Sequence, residues 1–220
     1  IGLIIEVAVQ SNLALKFTLL LLDLGGTTVL GAMVLVVFGC VIMGLGLPTV
    51  AAYIIGAILF VPALKDLGVP ELSAHFFVMY YCVLSMVTPP VALASYTAAG
   101  LAGSSSFHTS LTAFKLGLVG FFIPFAFAFN PALLAQDSWW IIIGSTVILF
   151  LGTSAWVLGL EGYFTRSLSV GERWSIAFAG LALLIAPVTI DAVVLNTNLN
   201  LWTARCILWS VPLLMMAVIV

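Results

Sequence analysis

Between Asp23 and Lys65 the chain runs 41 residues without an Asp, Glu, Lys or Arg, and between Glu71 and Lys115 another 43. Runs of that length leave few ways to face water, so they decide the solvent before anything else. A bilayer core about 30 Å thick takes roughly 20 helical residues at about 1.5 Å each. Each long run therefore has room for two passes, and the further runs 116–136, 138–160, 174–190 and 206–220 for one each. In all, six Lys+Arg and eight Asp+Glu make 6% of the chain charged, against 64% hydrophobic; a soluble domain carries about 25% charge. A soluble enzyme, a nucleic-acid binder with a basic footprint and a disordered tail are all excluded. The runs are apolar on every side and rich in Gly and Ala, without the alternation in segments of about 10 residues that marks a membrane β-strand. An all-α integral membrane protein is expected.

No basic segment precedes the apolar opening at Ile1, so no cleavable signal peptide is read. The opening and the apolar close at Met215–Val220 lead to the expectation that the sequence belongs to a larger membrane protein. Cys40, Cys82 and Cys206 stand far apart in apolar runs, with no ligand spacing, and read as small buried hydrophobes.

The last third follows membrane rules. Trp139–Trp140 mark an entry at headgroup level, and an apolar stretch runs from there to Leu160. The loop Glu161–Arg173, holding Arg166 and Arg173, is the cytoplasmic candidate. A span from Trp174 to about Ile190, a polar loop Asp191–Asn200 and a last span from Trp202 follow. Alternation then puts 130–138 and 191–200 outside. The domain reading is 1–25, the end of a transmembrane helix with an interfacial connector; 26–103, two interrupted segments (26–64 and 72–103); 104–135, an interfacial helix and a span; and 136–220, C-terminal spans.

The interruptions carry the chemistry. Gly44-Leu45-Gly46-Leu47-Pro48-Thr49 divides the first long run into arms of 13–17 residues. Such arms are short for a crossing and natural for a re-entrant hairpin. Thr88-Pro89-Pro90-Val91 breaks the second run. Proline lacks an amide hydrogen and clashes with the carbonyl four residues earlier. Pro89 and Pro90 are thus expected to free the carbonyls of Ser85 and Met86, and Pro48 that of Gly44. In hydrocarbon each orphan polar group costs several kcal/mol unless protein, water or an ion satisfies it. Neutral oxygens converging on a bend suit a hard cation, and half-helix N-termini suit an anionic group. Two Gly/Pro-interrupted apolar segments together point to a transporter's midplane site. Pro62, Pro124, Pro187 and Pro212 read as packing kinks.

Gly44–Tyr53 (GLGLPTVAAY), Thr88–Ala94 (TPPVALA) and Asn130–Leu134 (NPALL) resemble, in order and spacing, the large membrane subunit of tripartite ATP-independent periplasmic (TRAP) transporters. The chain is most similar to the fused permeases that pair with TAXI-type binding proteins. The resemblance covers about residues 1–135; the later spans match the extra C-terminal helices of the fused form more loosely. It implies the second inverted repeat of an elevator-type transporter, with a re-entrant helical hairpin, a discontinuous helix and about three extra C-terminal helices. The first repeat is expected elsewhere in the same subunit. It further implies a Na⁺-coupled symporter of the bacterial inner membrane that takes an organic acid from a periplasmic TAXI-type binding protein. A small membrane subunit or a fused N-terminal domain is the implied membrane partner. Carried over by motif, Gly44, Gly46, Pro48 and Thr49 form the hairpin tip, and Ser85, Met86, Thr88, Pro89 and Pro90 the unwound middle of the facing helix. Their carbonyls and hydroxyls, near Gly44, Ser85 and Thr88, hold one Na⁺; no other cofactor is implied.

Rival readings leave distinct marks. An intramembrane protease needs a serine nucleophile with a buried His, or two acids at membrane depth. Neither G-x-S-G nor G-x-G-D occurs, and Asp23 and Asp191 flank spans, so an enzyme is not expected. A structural membrane subunit without a transport site and a proton-coupled carrier stay open. Glu6 is an acid in an apolar stretch, of functional or interfacial reading. His75 reads as a headgroup-level residue, His108 and Lys115 as a solvated face, and Asp191 as a loop acid. With no Arg in 24–114, a carboxylate clamp lies outside that region or is made of backbone.

Overall fold

The computed structural model describes residues 6–7, 10–12, 16, 19–20, 23, 29–44, 47–163 and 168–197, with side chains up to 184. Among these every element is a helix. The chain divides into two compact units, residues 1–121 and 122–220.

In the first unit, α1 (Val29–Gly44) and α2 (Thr49–Asp66) are joined through residues 45–48, and both pack against α3 (Glu71–Leu84). A 3₁₀ turn, Ser85–Val87, ends α3; after residues 88–92 the chain resumes as α4 (Leu93–Ala102), which packs on α5 (Ser106–Gly117). A further 3₁₀ turn, Leu118–Phe121, closes the unit. The breaks fall at the clustered Gly and Pro positions, because proline has no amide hydrogen to continue the ladder and glycine favours the helix least of the other residues. α1 has 16 residues, or about 24 Å. α2 has 18 and runs on through Lys65 and Asp66, with Pro62 inside it. It is thus longer than the arm expected from the uncharged run. Lys65 belongs in the last turn because its cation faces the negative end of the helix dipole.

The two faces of α1 show which solvent the unit was built for. Ala32, Met33, Val36, Cys40 and Gly44 are buried, whereas Leu30, Val34, Phe38 and Ile42 point outward. Both faces are apolar, and the smaller side chains tend to lie inside. This is how helices pack in lipid, where small residues let backbones approach and large ones meet acyl chains. Phe60, Leu64, Phe77, Val78 and Tyr81 complete the buried centre. The Phe77 and Tyr81 rings stand edge to face at 4.8 Å, and the Tyr81 hydroxyl donates to the Phe121 carbonyl at 2.5 Å.

The second unit contains α6 (Ile123–Phe129), a 3₁₀ turn Pro131–Leu134, α7 (Trp139–Glu161) and α8 (Val170–Thr197). Trp139 and Trp140 are exposed at the start of α7. α7 and α8 pack backbone to backbone. A β-carbon on Gly180 would lie 2.6 Å from the Trp156 amide nitrogen and 2.8 Å from the Gly152 carbonyl, and one on Gly159 would lie 2.6 Å from the Ala177 Cβ. Arg173 of α8 donates from Nε to the Gly159 carbonyl at 2.8 Å and from its terminal nitrogen to the Leu160 carbonyl. It thereby satisfies orphan carbonyls at the end of α7 and sets a cation at the negative end of that helix. One expectation is corrected: α8 stays helical through Asp191 to Thr197, where a polar loop was read. Polar side chains do not by themselves break a backbone ladder, and between Asp191 and Thr197 there is no Pro to remove a donor from it. Residues 198–200 and the last span fall outside the described residues.

Among the described residues three helical stretches are long and apolar enough to cross a bilayer: Thr49–Asp66, Ser106–Phe129 and Trp139–Glu161. Near Leu116, where a span was expected to begin, α5 ends at Gly117 and the 3₁₀ turn starts at Leu118.

Candidate functional site

The site is built where α1 ends. Gly44 is the last residue of α1 and is buried. Its backbone lies so close to α3 that a β-carbon there would fall 1.9 Å from Ser85 Oγ, 2.4 Å from Ser85 Cβ and 3.5 Å from the Cys82 carbonyl oxygen. Only glycine allows that approach. The C-terminal end of one helix therefore meets the C-terminal end of another at the point where the second breaks. Such ends carry unsatisfied carbonyls and a partial negative charge.

The break has its own hydrogen-bond logic. Ser85 Oγ donates to the Cys82 carbonyl at 2.7 Å, and Thr88 Oγ1 donates to the Leu84 carbonyl at 2.7 Å. With its hydrogen so engaged, each hydroxyl oxygen keeps lone pairs and no free proton, which makes it an acceptor only. Ser85 is 1% exposed and Thr88 9%. The expectation that Pro89 frees the Ser85 carbonyl is corrected: the helix tightens to 3₁₀, and the Thr88 amide donates to that carbonyl at 3.2 Å. Met86 differs. The residues three and four ahead of it are Pro89 and Pro90, neither of which has an N–H, so its carbonyl has no local helical donor. Thr88 itself is extended (φ −91°, ψ 124°), as the residue before a proline prefers. Pro89 is half-buried and Pro90 exposed, and the bond between them is cis. The Tyr96 hydroxyl donates to the Pro90 carbonyl, tying the start of α4 back onto the break.

On the hairpin side, Pro48 (φ −56°, ψ 144°) precedes α2, and its carbonyl accepts the Ala52 amide at 3.0 Å. Because α1 is helical to Gly44, Pro48 stands four residues ahead of that carbonyl and offers it no N–H. Thr49 opens α2, half-buried. Gly46 lies outside the described residues. Of the residues singled out from the sequence, Gly44 and Ser85 are the pair in direct contact across the two segments.

Several polar features were missed. Ser95, in the first turn of α4, is 4% exposed, and its hydroxyl has no hydrogen-bond partner; a serine just past a break in an apolar helix was the available signal. His75 Nδ1 and the Tyr53 hydroxyl lie 3.0 Å apart, joining α2 to α3 rather than leaving His75 as a headgroup residue alone. Cys40 and Cys82, read as small buried hydrophobes, are both buried. In the second unit Asn130 Nδ2 donates to Ser145 Oγ at 3.0 Å, while Asn130 Oδ1 is buried without a partner. Among the described residues no group of three His, Cys, Asp or Glu side chains converges to hold a metal. Oxygens at the seam are thus backbone and hydroxyl, the donor set of a hard cation.

No curated protein and no solved structure matches the chain. The family profile described as "Tripartite ATP-independent periplasmic transporter, DctM component" matches residues 1–141, a stretch that holds the hairpin, the broken helix and the Asn130–Pro131 corner. With nearly two thirds of its length so matched, this membrane chain belongs to the DctM component family of the tripartite ATP-independent periplasmic transporters, a family of transporters and not of enzymes.

Proposed function

We propose that the chain is part of the permease of a secondary active importer of the bacterial inner membrane, driven by Na⁺, in which the seam between Gly44 and Ser85 holds the coupling ion. Family membership implies a periplasmic binding protein and a small membrane subunit as partners. A TAXI-type binding protein, a fused form of the subunit and an organic acid as cargo belong to the proposal. The observation that carries it is the meeting of two helix C-terminal ends at Gly44 and Ser85. Their partial charges attract a cation, and the Ser85 and Thr88 oxygens have their protons engaged elsewhere. The Met86 carbonyl and the last-turn carbonyls of α1 offer further neutral oxygens. A monovalent cation suits such a site, since no carboxylate is needed to bind it. The anionic group of the cargo would be met by the positive ends of α2 and α4, which begin on the far side of each break.

The test is substrate uptake into proteoliposomes holding the complete membrane subunit, with its binding protein outside. Uptake should require an inward Na⁺ gradient. Uptake that runs equally with K⁺ in place of Na⁺ and collapses with the proton gradient would assign the coupling to protons. Uptake that needs neither gradient would leave the chain a structural subunit.

A further inference from the structure

Ser95 is the third residue of α4 and is 4% exposed, yet its hydroxyl has no hydrogen-bond partner. Leaving a buried hydroxyl unsatisfied costs free energy, so such a group calls for an explanation. With Ala99, one turn on, it forms the buried face of α4, the helix that packs on the 3₁₀ turn at the break and on α5. In a helix every Cα–Cβ bond tilts toward the N-terminus. The Ser95 side chain therefore lies back over the first turn, at the end where the helix begins. That end is itself buried and uncapped: Ala92, in the cap position, is 0% exposed and offers no side-chain acceptor. The Tyr96 amide donates to the Ala92 carbonyl at 2.9 Å, and the amides of Leu93, Ala94 and Ser95 before it have no intrahelical acceptor. α2, the other helix that starts at a break, carries no such group in its first turn, where Thr49 is only half-buried and Val50 is exposed.

We propose that Ser95 and the first-turn amides of α4 bind a carboxylate of the transported acid, with Ser95 donating its hydroxyl proton to one carboxylate oxygen. This rests on the reading of the chain as part of an organic-acid importer, and it names the side chain that recognises the acid. Charge selects the occupant. The positive end of the helix dipole and its amide donors repel a cation and suit an anion. A carboxylate oxygen only accepts, which matches a hydroxyl whose own proton is uncommitted. Ser85 and Thr88 differ in this respect, since their protons go to the carbonyls of Cys82 and Leu84. The two sides of one break are thus complementary, with acceptor oxygens for Na⁺ before it and donors for an anion after it. Each ion then strengthens binding of the other, and linkage makes that effect reciprocal.

The experiment uses the complete membrane subunit in detergent, with acetate as the carboxylate probe and acetamide as its neutral counterpart. Sodium acetate should raise the melting temperature above that in sodium chloride at equal Na⁺, and acetamide should not. In Ser95→Ala the apparent affinity for acetate should fall at least about tenfold, through loss of a hydrogen bond to a charged group. Its melting temperature without acetate should be unchanged or higher, because an unsatisfied buried hydroxyl is gone. Ser95→Cys, close in size with a weaker donor, should fall between the two and serves if the alanine variant fails to fold. Thr97→Val removes an exposed hydroxyl bonded to the Leu93 carbonyl and should respond as the unaltered protein does. Stabilisation by Na⁺ with no response to acetate, or an undiminished acetate response in Ser95→Ala, overturns the site and leaves the sodium reading standing. A melting temperature lowered equally with and without acetate makes the hydroxyl structural and overturns the site too. An acetate response that Ser95→Ala abolishes but K⁺ supports as well as Na⁺ upholds the site and sinks the sodium reading instead.

Discussion

Gly44 and Ser85 stand so close that a methyl group on the first would sit 1.9 Å from the hydroxyl oxygen of the second. The space a side chain would occupy is filled by a donor oxygen from another helix, so two helix ends can share one small volume.

Gly44→Ala should push α1 away from the break. Overpacking of this kind costs about 1–3 kcal/mol, and the displaced helix end should abolish Na⁺-dependent uptake. Gly100→Ala, on α4 with nothing within 4 Å of its added carbon, is the control and should leave both uptake and melting temperature unchanged or slightly improved. Equal loss in the two variants would show that Gly44 has no special role.

Ser85→Ala and Thr88→Val each remove one oxygen that has its proton engaged with a carbonyl. The expected result is a rise of about tenfold in the Na⁺ concentration for half-maximal uptake, equivalent to ~1.4 kcal/mol, with a smaller change in melting temperature measured without Na⁺. A drop in stability with the Na⁺ dependence untouched would mark both hydroxyls as purely structural.

Gly180→Leu should separate α7 from α8, because its β-carbon alone would meet the Trp156 amide nitrogen at 2.6 Å. The loss should be about 3 kcal/mol or more, at the upper end for overpacking. Gly171→Ala, in open space at the start of α8, should be neutral. Thermal unfolding in detergent, followed by tryptophan fluorescence, separates the two.

Arg173→Met keeps much of the apolar stem but removes both donors to the Gly159 and Leu160 carbonyls. A destabilisation of roughly 1–3 kcal/mol follows from losing charge-assisted bonds at a helix end. Lys should rescue this only in part, since an ammonium lacks the planar fork that reaches two carbonyls. Full rescue by Lys would reduce the role of Arg173 to its charge.

At the turn between α2 and α3, Lys65 Nζ and Glu71 Oε2 form an exposed ion pair at 2.9 Å. The hydrogen bond and charge of Lys65 hold the Glu71 carboxyl below its ordinary value of about 4.5. A depressed folded value adds stability that is present above the unfolded value and is lost as pH falls through the folded one. The effect should be small, as exposed pairs are. Lys65→Met should move the Glu71 titration, followed by NMR, back toward its ordinary midpoint; an unmoved midpoint would remove the pair as its cause.

Much of this architecture was written in residue types. Uncharged runs set the solvent, and the clustered Gly and Pro residues at Gly44–Pro48 and Thr88–Pro90 set where helices stop, whereas the lone Pro62 stays inside α2. The Trp139–Trp140 entry and the 23-residue α7 followed from the same local rules. Where a helix stops without Gly or Pro was not legible: Asp191 looked like loop and is helix, and Lys65 looked like a boundary and is the last turn.

What the sequence by itself determined was the membrane, the helices and the places where their ladders fail. Only the tertiary structure decided which faces turn inward, and so that Gly44 reaches Ser85. The reason is physical. In water a helix advertises its buried face by being polar on the other, but a helix in lipid is apolar all round. With Leu30, Val34, Phe38 and Ile42 on one side of α1 and Met33, Val36 and Cys40 on the other, polarity gives no signal, and close packing alone chooses the side.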